Sequence, residues 1–198
     1  MENTKEWAPR LWQGCTLPAF LRLLWKNHFA VDPRFFYMPL VMTTVGAVNS
    51  ALQVVQESWY GSRLDRTPIR EPPLFIIGHW RTGTTLLHEL LALDPRFTSP
   101  TTYQCFAPHH FLLTEPLAEL CLRWMLPSHR PMDNMAVGWS RPQEDEFALA
   151  MLGQPSPYLT IAFPNRPPQG GESLELERLP REKREAWKRA FVGFLEGE

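Results

Sequence analysis

Residues whose types and spacing suit anion chemistry stand between Gly78 and Thr85, in the run Leu74-Phe75-Ile76-Ile77-Gly78-His79-Trp80-Arg81-Thr82-Gly83-Thr84-Thr85-Leu86-Leu87. A short apolar run breaks into a glycine-bounded loop and then resumes with helical periodicity, which reads as strand, loop, helix. Backbone N–H groups of such a loop, together with the exposed N–H groups and positive dipole end of the next helix, make a concave site for an anion. Gly83 lets the backbone approach closely, Thr82, Thr84 and Thr85 add hydroxyl donors, and Arg81 brings an always-charged planar guanidinium. A nucleotide triphosphatase would carry lysine after the second glycine, to reach the terminal phosphates, and then a hydroxyl for magnesium. Here Thr84 and Thr85 follow Gly83 and the lysine is missing, so ordinary ATP is not the expected ligand. The plainer reading, a glycine turn that only joins strand to helix, is disfavoured because the paired glycines, the arginine and the consecutive threonines agree. Trp80 is expected to be a packed aromatic.

The segment Gly78 to Leu87 resembles the 5′-phosphosulfate loop of sulfotransferases, which reads approximately G-x-P-R-S-G-T-T-L-L. His88-Glu89-Leu90-Leu91-Ala92-Leu93-Asp94-Pro95 continues in the same style, as does Pro142-Gln143-Glu144-Asp145-Glu146-Phe147. The resemblance implies an α/β, P-loop-like three-layer fold with a parallel sheet. It also implies 3′-phosphoadenosine-5′-phosphosulfate (PAPS) as donor, a hydroxyl or amine acceptor, and no metal. Arg81, Thr82, Gly83, Thr84 and Thr85 would hold the donor, and Arg81 would also stabilise charge on the departing nucleotide during in-line displacement. Sulfotransferases hold the donor's 3′-phosphate through an arginine and a serine near a later strand, and no R-D-P-like segment of that kind is found in the 198 residues. The expectation is therefore an N-terminal portion of the domain, incomplete at its C-terminus.

The acceptor needs a general base within hydrogen-bond reach. Family members use a glutamate or a histidine, which makes Glu144 the first choice, with Glu146 beside it and His109 and His110 next. Carboxylates in a first helical turn also favour the helix dipole without any catalytic purpose, and adjacent histidines in an aromatic loop often pack. His88 is expected to hydrogen-bond within the fold. Tyr103, Phe106, Phe111, Trp139 and Tyr158 would suit a small apolar or lipid-like acceptor, with core packing the default. Two other classes stay open: a kinase-like nucleotide-binding enzyme with a variant phosphate loop, and an inactive interaction protein that keeps only a relic of it.

The elements that must position these groups begin with a helical region, 1–66, in which Leu17 to Phe29 precedes an Asp32-Pro33 interruption. Val41, Val45, Val48, Leu52, Val55 and Trp59 then fall on one helical stripe, expected to pack on the domain. Region 67–198 is read as the sulfotransferase-like unit: a Pro-rich connector, a buried strand at Leu74–Ile77, and a leucine-covered helix ended by Asp94-Pro95. A helix from Thr114 should bury Leu117, Leu120, Cys121, Trp124 and Met125 and end at Pro127. Ser140 to Gln143 resembles a capping box for the next helix, which Gly153 closes. A Pro-rich loop from Pro155 to Gly171 precedes a final helix opened by Pro180, with Trp187, Ala190, Phe191, Phe194 and Leu195 on one face.

A formal charge of −1 with dispersed cations provides no basic footprint, so nucleic acid is not an expected partner. Cys15, Cys105 and Cys121 are odd in number and widely spaced, against both a disulfide framework and a zinc site. The start carries no signal-peptide pattern, and a cytoplasmic location is expected. Met38 to Val55 is uncharged, yet Pro39, Gly46, Asn49, Ser50 and Gln53 make it too polar to be read as a span, and membrane contact is not favoured. Oligomeric state is not readable.

Overall fold

The computed structural model describes residues 11–64, 66–79, 82–126, 128–129 and 135–197; Trp80, Arg81 and Pro127 lie outside the described residues. A 3-10 turn, Leu11–Gly14, leads into α1, Leu17–Lys26, whose Phe20, Leu23 and Leu24 recur at helical spacing and are buried. Pro18 sits in the first turn, where its missing N–H has no helical partner to lose. Asp32 accepts a 2.9 Å hydrogen bond from the Arg34 N–H to cap a second 3-10 turn, Pro33–Phe35. α2, Tyr37–Leu64, follows.

The buried stripe of α2 is not the expected one. Val48, Val55 and Trp59 are exposed, while Met42, Gly46, Asn49 and Gln56 face inward. The helix packs on the first 3-10 turn and the start of α1, where backbone groups need partners. Asn49 Nδ2 donates to the carbonyls of Gln13 and Cys15 at 2.7 and 2.9 Å, and Ser50 Oγ accepts from the Leu17 N–H at 3.0 Å. Satisfying buried backbone groups, which apolar side chains cannot do, decides which side of α2 is inside.

The expected parallel sheet is absent among the described residues, and the α/β, three-layer expectation is corrected to a helical fold. Among the described residues, β pairing is confined to two isolated bridges, Thr101 with Pro142 and His129 with Ala136. Leu74–Ile77 is not a strand: Leu74 and Phe75 are exposed and Ile77 is 92% exposed. A strand needs a neighbour to receive its ladder hydrogen bonds, and none is paired with this run. α3, Thr84–Leu91, ends before Asp94-Pro95 as expected, but with no sheet beneath it Leu86, Leu87 and Leu90 are exposed.

α4, Thr102–Phe106, carries the capping box, formed by Thr101 and Gln104 and not by Ser140 and Gln143. α5, Phe111–Leu122, runs into a 3-10 turn at Arg123–Met125; it starts before Thr114 and buries Phe111 and Ala118, leaving Leu117, Leu120 and Trp124 exposed. α6, Asp145–Met151, is followed by Gly153 at φ +73°, and its N-cap is Glu144. A short α7, Leu159–Ala162, interrupts the long loop, and a kinked 3-10 stretch, Gly171–Arg178, precedes α8, Arg181–Leu195. Phe194 of α8 is buried and Trp187, Ala190, Phe191 and Leu195 are half-buried, as the pattern predicts.

Two apolar clusters hold these helices. The first joins Trp12, Phe20, Leu24 and Met42 to Ala150 and Met151, so the N-terminal helices and α6 share a core. The second gathers Tyr103, Phe111, Ala118 and Trp139 with Ala148 and Phe194. α6 is therefore inserted between both clusters, which holds the residues at its N-terminus in a defined place.

Candidate functional site

The loop before α3 has the geometry its glycines imply. Gly83 adopts φ +90° and ψ 14° at the N-cap of α3, a conformation costly for any residue with a Cβ. The first backward bond of the helix runs from the Leu87 N–H to the Gly83 carbonyl at 3.0 Å, so the N–H groups of Thr84, Thr85 and Leu86 come before it and face the loop. Thr82 closes the turn by donating from Oγ1 to the His79 carbonyl at 2.6 Å. Gly78 lies beneath that turn: a Cβ there would stand 2.5 Å from Thr84 Cγ2 and 2.9 Å from Thr82 Oγ1. Thr82 and Gly83 are exposed and Thr84 and Thr85 half-buried, so Thr82, Gly83, Thr84 and Thr85 are brought together at one helix start. Arg81 falls outside the described residues.

His88 stands one turn along α3 from Thr84 and lines a cavity of about 600 Å³. Leu74, Phe75, Phe97 and Phe191 wall the cavity, and Glu144 and Asp145 open onto it from the start of α6. The backbone brings Glu144 there: the Thr102 N–H donates to the Arg141 carbonyl at 2.8 Å and the Gln143 N–H to the Pro100 carbonyl at 2.8 Å, pinning 139–143 along the segment that starts α4. Arg141 also reaches Glu89 of α3 at 3.0 Å, an exposed pair that orients more than it stabilises.

Glu144 is exposed, and its Oε2 accepts a 2.5 Å hydrogen bond from the Tyr158 hydroxyl. Tyr158 in turn stacks on Phe147 with ring centroids 4.3 Å apart, so its hydroxyl is held in position. Burial raises the Asp145 carboxyl above the usual range, with the neighbouring Glu144 adding to the effect. Burial likewise raises Glu146, which bonds to the Ser156 hydroxyl and has one oxygen without a partner. Glu146 thus faces the interior and Glu144 the cavity.

The histidine pair is committed elsewhere. His109 Nε2 lies 3.1 Å from the Met151 carbonyl, which can only accept, so Nε2 carries the proton. His110 Nε2 lies 3.2 Å from Asn49 Oδ1 and Nδ1 lies 2.9 Å from Thr114 Oγ1. Burial pushes both imidazoles below their ordinary value, His110 to about 4 with His109 as a second cause. Tyr103, Phe111 and Trp139 are likewise buried in the second core cluster, while Phe106 is packed against it. Sequence reasoning missed Tyr158 as the partner of Glu144, since no spacing rule links residues across the α6–α7 turn. Asp145 was passed over beside Glu144, because its burial is a tertiary property.

Residues 72–140, which include the loop, match the sulfotransferase family. Over 196 residues the chain is 51% identical to the omega-hydroxy-beta-dihydromenaquinone-9 sulfotransferases Stf3 of Mycobacterium bovis and of Mycobacterium tuberculosis. The family this chain resembles is thus the sulfotransferase family. The similarity covers 99% of the chain and 50% of each relative, so the chain spans about half the length of the curated sulfotransferases it matches. No solved structure matches it.

Proposed function

We propose that this chain carries the donor loop and acceptor-side base of a sulfotransferase that moves a sulfuryl group from PAPS to a hydroxyl of a small lipid-like acceptor. The observation that supports it most is the loop: Gly83 at φ +90° begins α3 beside three threonines, within the segment that matches the family. The donor, when bound, supplies an activated sulfuryl group. Thr82, Thr84, Thr85 and the N–H groups at the start of α3 would hold its anionic end, with Arg81 neutralising charge on the bridging oxygen. Glu144, oriented by Tyr158, would take the acceptor's proton. An apolar cavity with carboxylates at one side suits an alcohol carried on an apolar body, and the relatives' names specify an omega-hydroxylated dihydromenaquinone.

Calorimetric titration with 3′-phosphoadenosine-5′-phosphate and, separately, ATP, each with and without magnesium, tests the donor half. Metal-independent binding of the first nucleotide is expected, lost in Arg81→Ala and weakened about tenfold in Gly78→Ala, whose added methyl forces the loop open. Magnesium-dependent binding of ATP alone would move the chain to the kinase-like class, and a folded chain that binds neither would leave the interaction-protein reading.

A further inference from the structure

α2 is turned inside out relative to a helix on the surface of a water-soluble domain. Its inward side holds Gly46, Asn49 and Gln56, and its outward side shows Tyr37, Leu40, Val48, Val55 and Trp59, with Leu40 and Trp59 each 69% exposed. From Phe35 to Gln56 the sequence has no Asp, Glu, Lys, Arg or His. Among the described residues, one helix is long and apolar enough to cross a membrane by length and composition, and it is this one, Pro33–Leu64. Crossing conflicts with the packing. Asn49 is tied to Gln13, Cys15 and His110, so one side of the helix belongs to the domain and only the other is open.

The corner that leads into α2 has the chemistry of a bilayer interface. Phe35 and Phe36 are exposed, as are Trp25, at 75%, and Phe29, whose rings meet edge to face at 6.1 Å. A tryptophan ring favours the headgroup level of a membrane, and phenylalanine rings suit the apolar side of an interfacial segment just below it. Arg22, Lys26 and Arg34 stand exposed along the same stretch, and none of them has a carboxylate within salt-bridge distance among the described residues. The one acid there, Asp32, is occupied in capping the 3-10 turn. Positive charge beside an uncharged apolar face complements an anionic lipid surface, not a neutral protein groove.

We propose that the outward face of α2 and the aromatic-basic corner before it seat this chain on the surface of a bilayer containing anionic lipid, with α2 parallel to the membrane plane. The inference stands on α2 itself and holds whatever the acceptor is.

Flotation of the 198-residue chain with vesicles tests it, using phosphatidylcholine alone and phosphatidylcholine with about one-third phosphatidylglycerol. Binding to the anionic vesicles is expected to be about tenfold or more above the neutral ones and to weaken as salt rises. Phe36→Ser/Leu40→Ser/Trp59→Ser, all at exposed positions, should lose about tenfold in binding with an unchanged circular dichroism spectrum. Arg22→Gln/Lys26→Gln/Arg34→Gln should lose the preference for anionic lipid. Equal binding to both vesicle types, no binding by the folded chain, or a lipid-free dimer that the serine variant dissociates would overturn the proposal, the last naming a second copy of the chain as the occupant.

Discussion

At the scale of single residues, the candidate site separates groups with similar chemistry by what surrounds them. Glu144 and Glu146 are two positions apart, yet one opens onto the cavity with Tyr158 on its carboxylate and the other is half-buried against Ser156. His109 and His110, competent bases by residue type, are buried, with Nε2 of His109 and both ring nitrogens of His110 engaged. The expected consequence is that Glu144→Gln lowers kcat by roughly 10²–10⁴ without changing nucleotide affinity. Tyr158→Phe should cost less, about tenfold, since the proposed base keeps its place but loses an orienting bond. Steady-state kinetics with the nucleotide dissociation constant measured in parallel would check both; equal losses in Glu146→Gln would shift the base to that half-buried carboxyl.

At the scale of elements, backbone satisfaction decides more than apolar pattern. Thr101 accepts from the Gln104 N–H at 3.2 Å while the Gln104 side chain accepts from the Thr101 N–H at 2.8 Å. Glu115 of α5 receives the Thr101 hydroxyl at 3.1 Å and Gln104 Nε2 at 3.2 Å, so the cap also ties α4 to α5. Thr101→Ala should therefore destabilise the fold by about 1 kcal/mol, and somewhat more for the Glu115 oxygen left without a partner. Urea unfolding is the measurement, with a shifted midpoint and an unchanged slope expected. The Ser140–Gln143 sequence has the same signature and forms no cap, because Trp139 and Ser140 lie in a turn and 139–143 is tied by its bonds to Pro100, Thr102 and Tyr103.

At the scale of the whole molecule, the centre of the fold holds a polar network. His110 joins Asn49 of α2 to Thr114 of α5, and Tyr103 of α4 donates to the same threonine at 2.7 Å. Asn49 Nδ2 already serves Gln13 and Cys15, so Oδ1 is the atom facing His110, which assigns the proton to Nε2. An imidazole titrating at about 4 when folded and about 6.5 when unfolded takes up fewer protons in the native state between those values. Its stabilisation is full above about pH 6.5 and is lost as pH falls towards 4, by roughly 2–3 kcal/mol at most. Asp145 and Glu146, raised by burial, act in the opposite sense in the acid range. The check is thus a difference: unfolding free energy should fall more steeply from pH 6.5 to 4.5 in the wild type than in His110→Asn, and parallel curves would dismiss the network as the cause.

What the sequence determined by itself was local. Gly83 before consecutive threonines marks a glycine turn and a helix start, Asp94-Pro95 a helix stop, and Pro180 a helix opening, because backbone sterics and capping depend on neighbours in the chain. What only the tertiary structure decided was which face meets what. The Val48–Val55–Trp59 stripe turned outward because the carbonyls of Gln13 and Cys15 needed Asn49, and Leu74–Ile77 remained unpaired because a strand exists only where another segment receives its hydrogen bonds. The Glu144–Tyr158 contact was hidden for the same reason: hydrogen bonds between residues that no local periodicity relates are a property of packing, and packing is settled by the whole chain at once.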